Sequence, residues 1–534
     1  MTMSVRSTIA RNTVFNAGGR LWEAAISLVL TWYIVLRLDT AGWGLWSLVG
    51  VFTAYAALFD FGVSAGFAKY IAEYAARKEA RRLSAVLSTG LFFYFVFGAA
   101  IVAAGWVAVD VLMDWVVAPR ASARTGVTPN IAELKFLLRG ALILFAANNC
   151  LAPFMAAPIG LQRMGLSNGL SIISSALKLA VTVAFLETGF GLPGLLYTNA
   201  VVLLVQGAAS IALAYWLMPG LRIGLSEITR SCMGELFSFG WRAQVAKLAN
   251  LVNFQTDRLI IVWFYGNLGW VGLYRLGEEL AGKMRQAPAL LVTALLPAAS
   301  DMDARGQQEE LRRLYLVSTK YMASVSVPLA IYFCAAADIL MHAWLGNREG
   351  LDTAAWVLRI LVIGYLMNLL PGPGVSIVLG KGRADLPMYA GIISTAGNIL
   401  FTIGLVYGIG FYGVPLGTTF GMLISTMWFF WVLRKHLALS STELMRVAVA
   451  WPALASLPGA SVCLMAQWIL SGQGGHLPNL LGAGATAAIF GMLYVVTIGR
   501  TPFLDAFDVT FLETTLHAKR LPGFGLLTWR ARRV

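Results

Sequence analysis

Charge is what this sequence has least of. Asp, Glu, Lys and Arg make up 12% of its 534 residues, against 58% hydrophobic. A soluble domain carries roughly 25% charged residues, so this chain cannot cover a water-facing surface. Cysteine is also sparse. Cys150, Cys232, Cys334 and Cys463 stand apart with no C-x-x-C pair, which indicates neither a zinc site nor a disulfide framework. No G-x-x-x-x-G-K-[ST] loop occurs, which argues against an ATP motor within the chain. Long polar stretches are missing too; the longest are about 110–133 and the tail from Arg500. The first is too short for a catalytic domain and carries no clear acid/base pair. No enzyme chemistry, metal or cofactor is expected. The N-terminus "MTMSVRSTIARNTVFNAGG" lacks a small-x-small cleavage site before Arg37 and Asp39, and reads as a retained first helix.

What is present is apolar length. Windows fall near 14–36, 43–66, 84–109, 134–158, 168–188, 193–217, 238–264, 271–299, 319–341, 354–379, 387–408, 411–433, 447–470 and 480–499. About 20 apolar residues cross a bilayer core. These runs are too long and too apolar for barrel strands, so a polytopic helical membrane protein of about fourteen spans is expected.

Loop charge sets the orientation. With the N-terminus inside, the inner loops hold most of the Lys and Arg, including Arg77, Lys78, Arg81, Arg82, Arg163, Arg312, Arg313, Lys381 and Arg383. The outer loops hold only Arg37, Arg120, Arg124, Lys135 and Arg348. Both termini are therefore expected in the cytoplasm. The same bias accounts for the net charge of +14 without nucleic acid as a partner.

The chain also repeats itself. "EARRLSAV" (79–86) returns as "ELRRLYLV" (310–317), 231 positions on. "GLWSL" (44–48) returns as "GLYRL" (272–276), an offset of 228. Asn148, Pro153, Gly160, Arg163 and Leu166 match Asn368, Pro373, Gly380, Arg383 and Leu386 at 220, and "GLP" (191–193) matches "GVP" (413–415) at 222. The order is preserved and the offset drifts only as loops change. The expected fold is all-α: two six-helix lobes in a parallel pseudo-twofold repeat, plus two C-terminal transmembrane helices. The divisions fall at 1–225, 226–440, 441–500 and a cytoplasmic tail, 501–534. In transporters built this way the site lies between repeats. The matched Asn/Pro pairs suggest bent helices.

Four stretches resemble the MOP superfamily of exporters, and more closely its polysaccharide (oligosaccharide) flippase branch: "AGWGLWSLVGVFTAYAALFDFGVSAGFAKYIAEY" (41–74), "GLQRMGLSN" (160–168), "DRLIIVWFYGNLGWVGLYRLGEEL" (257–280) and "ALLPAASDMDARG" (294–306). The resemblance covers about 1–435. It implies a bacterial inner-membrane protein that turns an undecaprenyl-diphosphate-linked oligosaccharide from the inner to the outer leaflet, for surface or exopolysaccharide synthesis. Its implied partners are that lipid-linked oligosaccharide, membrane lipids, a polysaccharide polymerase and glycosyltransferases. Two rival readings are a MATE-like ion-coupled exporter of drugs or small cations, and a non-transporting scaffold for glycan enzymes. The first needs a net acidic cavity, and the second a neutral interface; the spans carry more Arg and Lys than Asp and Glu.

An ionisable group in a span costs at least about 2.5–3.5 kcal/mol and should face a cavity. Arg20 and Glu23 share one face of the first span, Lys178 sits in the fifth, and Arg242, Lys247, Asp257 and Arg258 in the seventh. In the eighth, Arg275, Glu279 and Lys283 stand at i, i+4 and i+8, a ladder of ion pairs, with Glu278 and Arg285 beside them. Arg20, Glu23, Lys178, Arg242, Lys247, Asp257, Arg275, Glu279 and Lys283 are the substrate-cavity candidates. Asp60 is the ion-coupling candidate, against a helix-end hydrogen bond or a pair with Lys69. Trp32, Tyr33, Trp43 and Trp46 read as an interfacial belt, and Phe503, Phe507, Phe511 and Leu512 as a tail helix lying on the inner leaflet.

Overall fold

The computed structural model describes residues 2–113, 130–290, 292, 295–437, 449–470, 476–505, 508–510, 513 and 528. Among the described residues every regular element is helical. They are α1 (Thr2–Ala56), α2 (Val63–Ala76), α3 (Ala80–Leu112), α4 (Ile131–Met155), α5 (Met164–Glu187), α6 (Gly191–Leu217), α7 (Arg230–Tyr265) and α8 (Leu268–Leu290). They continue as α9 (Leu295–Ala304), α10 (Gln308–Ala335), α11 (Ala337–Leu345), α12 (Leu351–Leu369), α13 (Gly372–Gly380), α14 (Asp385–Ile409), α15 (Gly413–Leu437), α16 (Trp451–Leu470) and α17 (His476–Arg500). Contacts divide the chain into two units, Met1–Gly272 and Leu273–Val534.

Ten helical segments among the described residues are long and apolar enough to cross a membrane. Two of them each take in parts of two expected windows: Gly18–Ala56 covers most of 14–36 and of 43–66, and Asp385–Lys435 contains 387–408 and 411–433. The first is interrupted where Asp39 leaves helical geometry (φ 58°, ψ −173°), the second at Gly410 (φ 71°). The expected windows 238–264 and 271–299 lie outside these ten. Within window 271–299 the described elements are α8 to Leu290, a turn at Val292 and α9 from Leu295. Window 43–66 breaks where Phe61 and Gly62 are left-handed (φ 50° and 74°).

Helix boundaries carry the repeat. Ala80 and Gln308 begin α3 and α10, 228 apart; Ile131 and Leu351 begin α4 and α12, 220 apart; Gly191 and Gly413 begin α6 and α15, 222 apart. The turns match bond for bond. Before α3, Glu79 N–H donates to Tyr74 O and Lys78 N–H to Ala75 O (3.0 and 3.1 Å). Before α10, Gln307 N–H donates to Met302 O and Gly306 N–H to Asp303 O (3.0 and 2.9 Å). Both are Schellman caps around a left-handed residue, Lys78 (φ 57°) or Gly306 (φ 72°). Arg77 pairs with Glu73, and Arg305 with Asp301. The equivalence of the two basic octamers thus runs at 228 rather than 231. The difference of three is close to the 3.6 residues of one turn, so the arginines keep nearly the same face in either register.

The 160s and 380s loops agree as well. Arg163 N–H donates to Pro158 O and Arg383 N–H to Val378 O (2.7 and 2.8 Å). Gln162 (φ 56°) and Gly382 (φ 75°) are the left-handed positions. Each turn is held down by a glycine that fits no side chain. A Cβ at Gly160 would lie 2.8 Å from Ile71 Cβ, and one at Gly380 would lie 2.8 Å from Ala299 Cβ. At the matched prolines the helices bend as expected: α4 gives way at Ala156 (φ −75°, ψ −18°) to a short helix, Ala157–Gly160, and α12 passes through Leu370 and Pro371, both still in right-handed helical geometry, into α13.

In the first unit α1 packs on α4, α5 and α7, and α4 on α3 and α6. Its core gathers Phe67, Ile71, Val86, Leu87, Tyr94 and Leu236. In the second, α14 pairs with α15 and α12 with α15, over a core of Leu311, Tyr315, Ile377, Phe429 and Leu433. The extra pair α16 and α17 packs on α10 and α11.

Two aromatic expectations change. Trp43 is buried and Trp46 lines a cavity, so neither serves an interfacial belt. Phe503 is 2% exposed and packs with Ala455, Ile498 and Leu504 rather than facing lipid. The reason is charge. Lys320 of α10 pairs with Asp508, Tyr321 Oη donates to the same carboxylate at 2.8 Å, and these bonds hold the start of the tail against the helices. Phe507, Phe511, Leu512 and residues 114–129 lie outside the described residues.

Candidate functional site: a polar cavity in the first unit

Helix α5 carries "SIISSALK" (171–178), which puts Ser171, Ser174, Ser175 and Lys178 at i, i+3, i+4 and i+7. That spacing is one helix face. The face lines a cavity of about 560 Å³. Glu23, Trp46 and Thr53 of α1 close one side, Phe145 and Asn148 of α4 another, and Asn199 and Gln206 of α6 a third. Trp22 Nε1 donates to Ser175 Oγ at 2.9 Å and fastens α1 to α5 beside it. At the far end of the same two helices, Tyr33 and Arg37 both hydrogen-bond Glu187.

Lys178 and Glu23 are the cavity's only ionisable groups among its described lining residues. No hydrogen bond or ion pair joins Lys178 to a described side chain. An ammonium in a membrane span is expensive to keep, and no described side chain takes its three donors. The remaining polar lining is hydroxyl and carboxamide, groups that both donate and accept.

The other candidates are dispersed. Arg20 lies on the exposed face of α1 and is not among the lining residues. Asp257 and Arg258 are buried on α7 outside the cavity, and Arg258 donates to the Ser47 and Phe254 carbonyls (3.4 and 3.3 Å). Arg242 and Lys247 belong to α7, but their side chains lie outside the described ones. Asp60 accepts hydrogen bonds from Tyr94 Oη and from Ser64 Oγ, the latter at 2.6 Å, just before the N-terminus of α2. A carboxylate is favoured there by the helix dipole, and Lys69 lies over the Tyr70 ring at 4.5 Å.

In the second unit the α8 ladder forms ion pairs in the expected succession. Arg275 meets Glu278 at 3.2 Å and Glu279 at 3.9 Å, and Lys283 meets Glu279 at 3.9 Å. Both glutamates are buried. The ladder balances two cations with two anions. Arg285 extends it, donating to Asn368 Oδ1 at 3.1 Å and lying over the Tyr365 ring.

Sequence reading missed four groups. The serine face of α5 had a visible signal, its helical spacing. Asn199 and Gln206 had none, since isolated amides in an apolar run look neutral. Two charged clusters were also overlooked: Asp110 with Lys135 (3.0 Å) and Arg139 (2.5 Å), and Arg359 with Asp338 (2.5 Å), where Gln467 of α16 also donates to Asp338.

Comparison with known proteins bears on what such a scaffold is. A family model described as polysaccharide biosynthesis protein matches residues 166–348, and one described as lipid II flippase MurJ matches 289–482. The teichuronic acid biosynthesis protein TuaB of Bacillus subtilis is 29% identical over 174 residues, which is 32% of this chain and 35% of that protein. A Shigella flexneri protein named as an O-antigen transporter is 22% identical over 384 residues, 71% of this chain and 86% of that one. Among solved structures, an inward closed lipid II flippase MurJ superposes with TM-score 0.65 at 12% identity, covering 90% of this chain and 98% of that one. An inward-facing multidrug resistance MATE transporter of the MOP superfamily gives 0.60 at 16% identity, covering 81% and 96%.

The chain is a multi-pass membrane protein with the fold of MOP-superfamily transporters. The relatives and family models whose names state an activity are transporters and flippases.

Proposed function

We propose that this protein is a flippase for a lipid-linked oligosaccharide, carried on undecaprenyl diphosphate and moved from the inner to the outer leaflet of the bacterial inner membrane by alternating access. The observation that carries the reading is the first unit's cavity, where one lysine that pairs with no described side chain stands among serines and carboxamides. Saccharide hydroxyls and phosphate oxygens lose water on entering a membrane protein, and each lost hydrogen bond must be replaced. Ser171, Ser174, Asn148, Asn199 and Gln206 supply donors and acceptors for hydroxyls. Lys178 supplies the charge-assisted bonds that a phosphate takes, and Glu23 accepts from sugar hydroxyls. The α8 ladder of Arg275, Glu279 and Lys283 is the second charged element that this reading assigns to substrate handling. The matching helix starts support 1–225 and 226–440 as the two lobes, and the loop charges support cytoplasmic termini. Glycan enzymes such as a polymerase and glycosyltransferases are the partners this role requires.

Lys178→Met tests the reading. It should abolish appearance of the lipid-linked saccharide at the outer face at matched protein levels, while Lys178→Arg keeps part of it. Full flipping by Lys178→Met overturns the assignment. A wild type that flips no saccharide but exports a small organic cation, with that export lost in Glu23→Gln, would favour a cation exporter.

A further inference from the structure

An ion pair of the first unit recurs in the second. Asp110, near the end of α3, meets Arg139 of α4 at 2.5 Å, and Asp338, at the start of α11, meets Arg359 of α12 at 2.5 Å. The aspartates stand 228 positions apart and the arginines 220, the offsets at which α3 and α10, and α4 and α12, begin. Each arginine also lies over a tryptophan ring, Trp106 at 4.6 Å and Trp356 at 4.9 Å. In the second unit α16 is seated on this pair and on the apolar face below it. Gln467 of α16 donates to Asp338. Ala335 of α10 packs with Cys463 of α16, and Ala323 and Val327 with Ala453. All three α10 residues are buried, whereas Val107, Phe95 and Ala99, which stand 228 positions before them on α3, are exposed. The hollows correspond as well. Ile331 and Ile363 share one of about 310 Å³ with Leu464 of α16. Their counterparts Ala103 and Ile143 border a groove of about 840 Å³ that no described residue of a seventh helix enters.

We propose that the α3–α4 face seats a transmembrane helix of a partner membrane protein, placed as α16 is placed on α10 and α12 and carrying one carboxylate at the level of Arg139. Lipid alone would cover the apolar part of this face; the charges point to a protein. In the second unit one Arg balances one Asp, and α16 brings an uncharged amide. In the first unit Lys135 stands where the second has Ala355, and it meets Asp110 at 3.0 Å. Two cations then face one anion. Glu133 lies about 200° around α4 from Lys135 and takes a hydrogen bond from Asn130 at 3.3 Å. The side chain of Asp110 is 41% exposed against 20% for Asp338, which Gln467 covers. Charge on a membrane-spanning helix is held by a counter-charge, and polar side chains join such helices by hydrogen bonds across their interface. An Asp or Glu in the place of Gln467 supplies both. Helices α15, α16 and α17 contain no Asp or Glu, so a second copy of this chain cannot bring the carboxylate on them.

The test uses the full chain in phosphatidylcholine vesicles, with a benzophenone side chain in place of Val107 or, as a control, of Met427, which is exposed on α15. The added ligand is a synthetic helix with the sequence of residues 451–470, made either with Gln467 or with Gln467→Glu. Light should give about tenfold more adduct at position 107 with the Glu helix than with the Gln helix, a preference of about 1.4 kcal/mol, and equal yields at 427. Lys135→Ala gives the first unit the residue of the second. It should bring the two helices level at 107, and continued adducts with the Gln helix show that this variant is folded. Equal yields at 107 without that substitution overturn the proposal, and so does a preference that survives it. Adducts joining two full chains through position 107 would make the face a contact between copies and overturn it too. Phosphatidylglycerol, added in a final arm, should leave the Glu helix in place. Its enrichment at 107 with loss of the Glu helix would show a phospholipid headgroup site instead.

Discussion

Gly44 and Gly272 meet where the first helix crosses the start of the eighth, and each fills the place the other's side chain would need. A Cβ on Gly44 would overlap the Leu268 carbonyl oxygen and lie 2.8 Å from Gly272 N. One on Gly272 would overlap the Thr40 carbonyl oxygen and lie 3.3 Å from Gly44 N. Thr40 and Leu268, like the glycines, are 228 positions apart. Contacts that are reciprocal in this way are the mark of a local twofold, and small residues are what let membrane helices approach so closely. Gly44→Val or Gly272→Val should destabilise the protein by about 1–3 kcal/mol, the usual cost of overpacking. Thermal unfolding of the purified protein measures it. Gly404→Ala, in open space on α14, should be neutral or gain up to about 1 kcal/mol.

The paired Schellman turns give a test in which the two copies predict opposite signs. Lys78 and Gln162 hold left-handed backbone that their counterparts Gly306 and Gly382 hold without a side chain. A left-handed L-residue costs roughly 1–2 kcal/mol. Lys78→Gly and Gln162→Gly should raise the unfolding midpoint, whereas Gly306→Lys and Gly382→Gln should lower it. A fall on Gln162→Gly would mean that its side chain holds the loop more strongly than the backbone strains it.

Lys320 and Asp508 form an ion pair with both side chains largely buried, 10% and 2% exposed. Removing one partner strands the other charge. Lys320→Met or Asp508→Leu alone should therefore cost about 3–5 kcal/mol, and the double substitution should recover most of it. Limited proteolysis of the tail reads the same event: cleavage beyond Arg500 should speed up in each single variant and slow again in the double.

Topology follows from the loop charges. A reporter active only outside the cytoplasm should be active when fused at residue 122 and silent at residue 534. Activity at 534, or silence at 122, reverses the orientation on which inward-to-outward transport depends.

Length and pattern settled a good deal on their own. Apolar runs fix helical spans because lipid offers the backbone no other partner. The duplication was legible because Gly160, Arg163, Gly380 and Arg383 keep their spacing, and the matching turns followed from it. The α8 ladder was legible for the same kind of reason, since i, i+4 neighbours on one helix touch wherever that helix packs. Tertiary packing decided everything that joins different helices. Lys320 meets Asp508 across 188 residues and Trp22 meets Ser175 across 153; no sequence period reports such distances. Packing also moved the octamer register from 231 to 228, because the cap bonds and the buried Leu83 and Leu311, not the arginines, fix the backbone there. It gathered Lys178, the serines and the distant amides around one cavity, and left Asp257 and Arg258 buried outside it. Spacing along a helix says which side chains share a face; only the packed helices determine what that face meets.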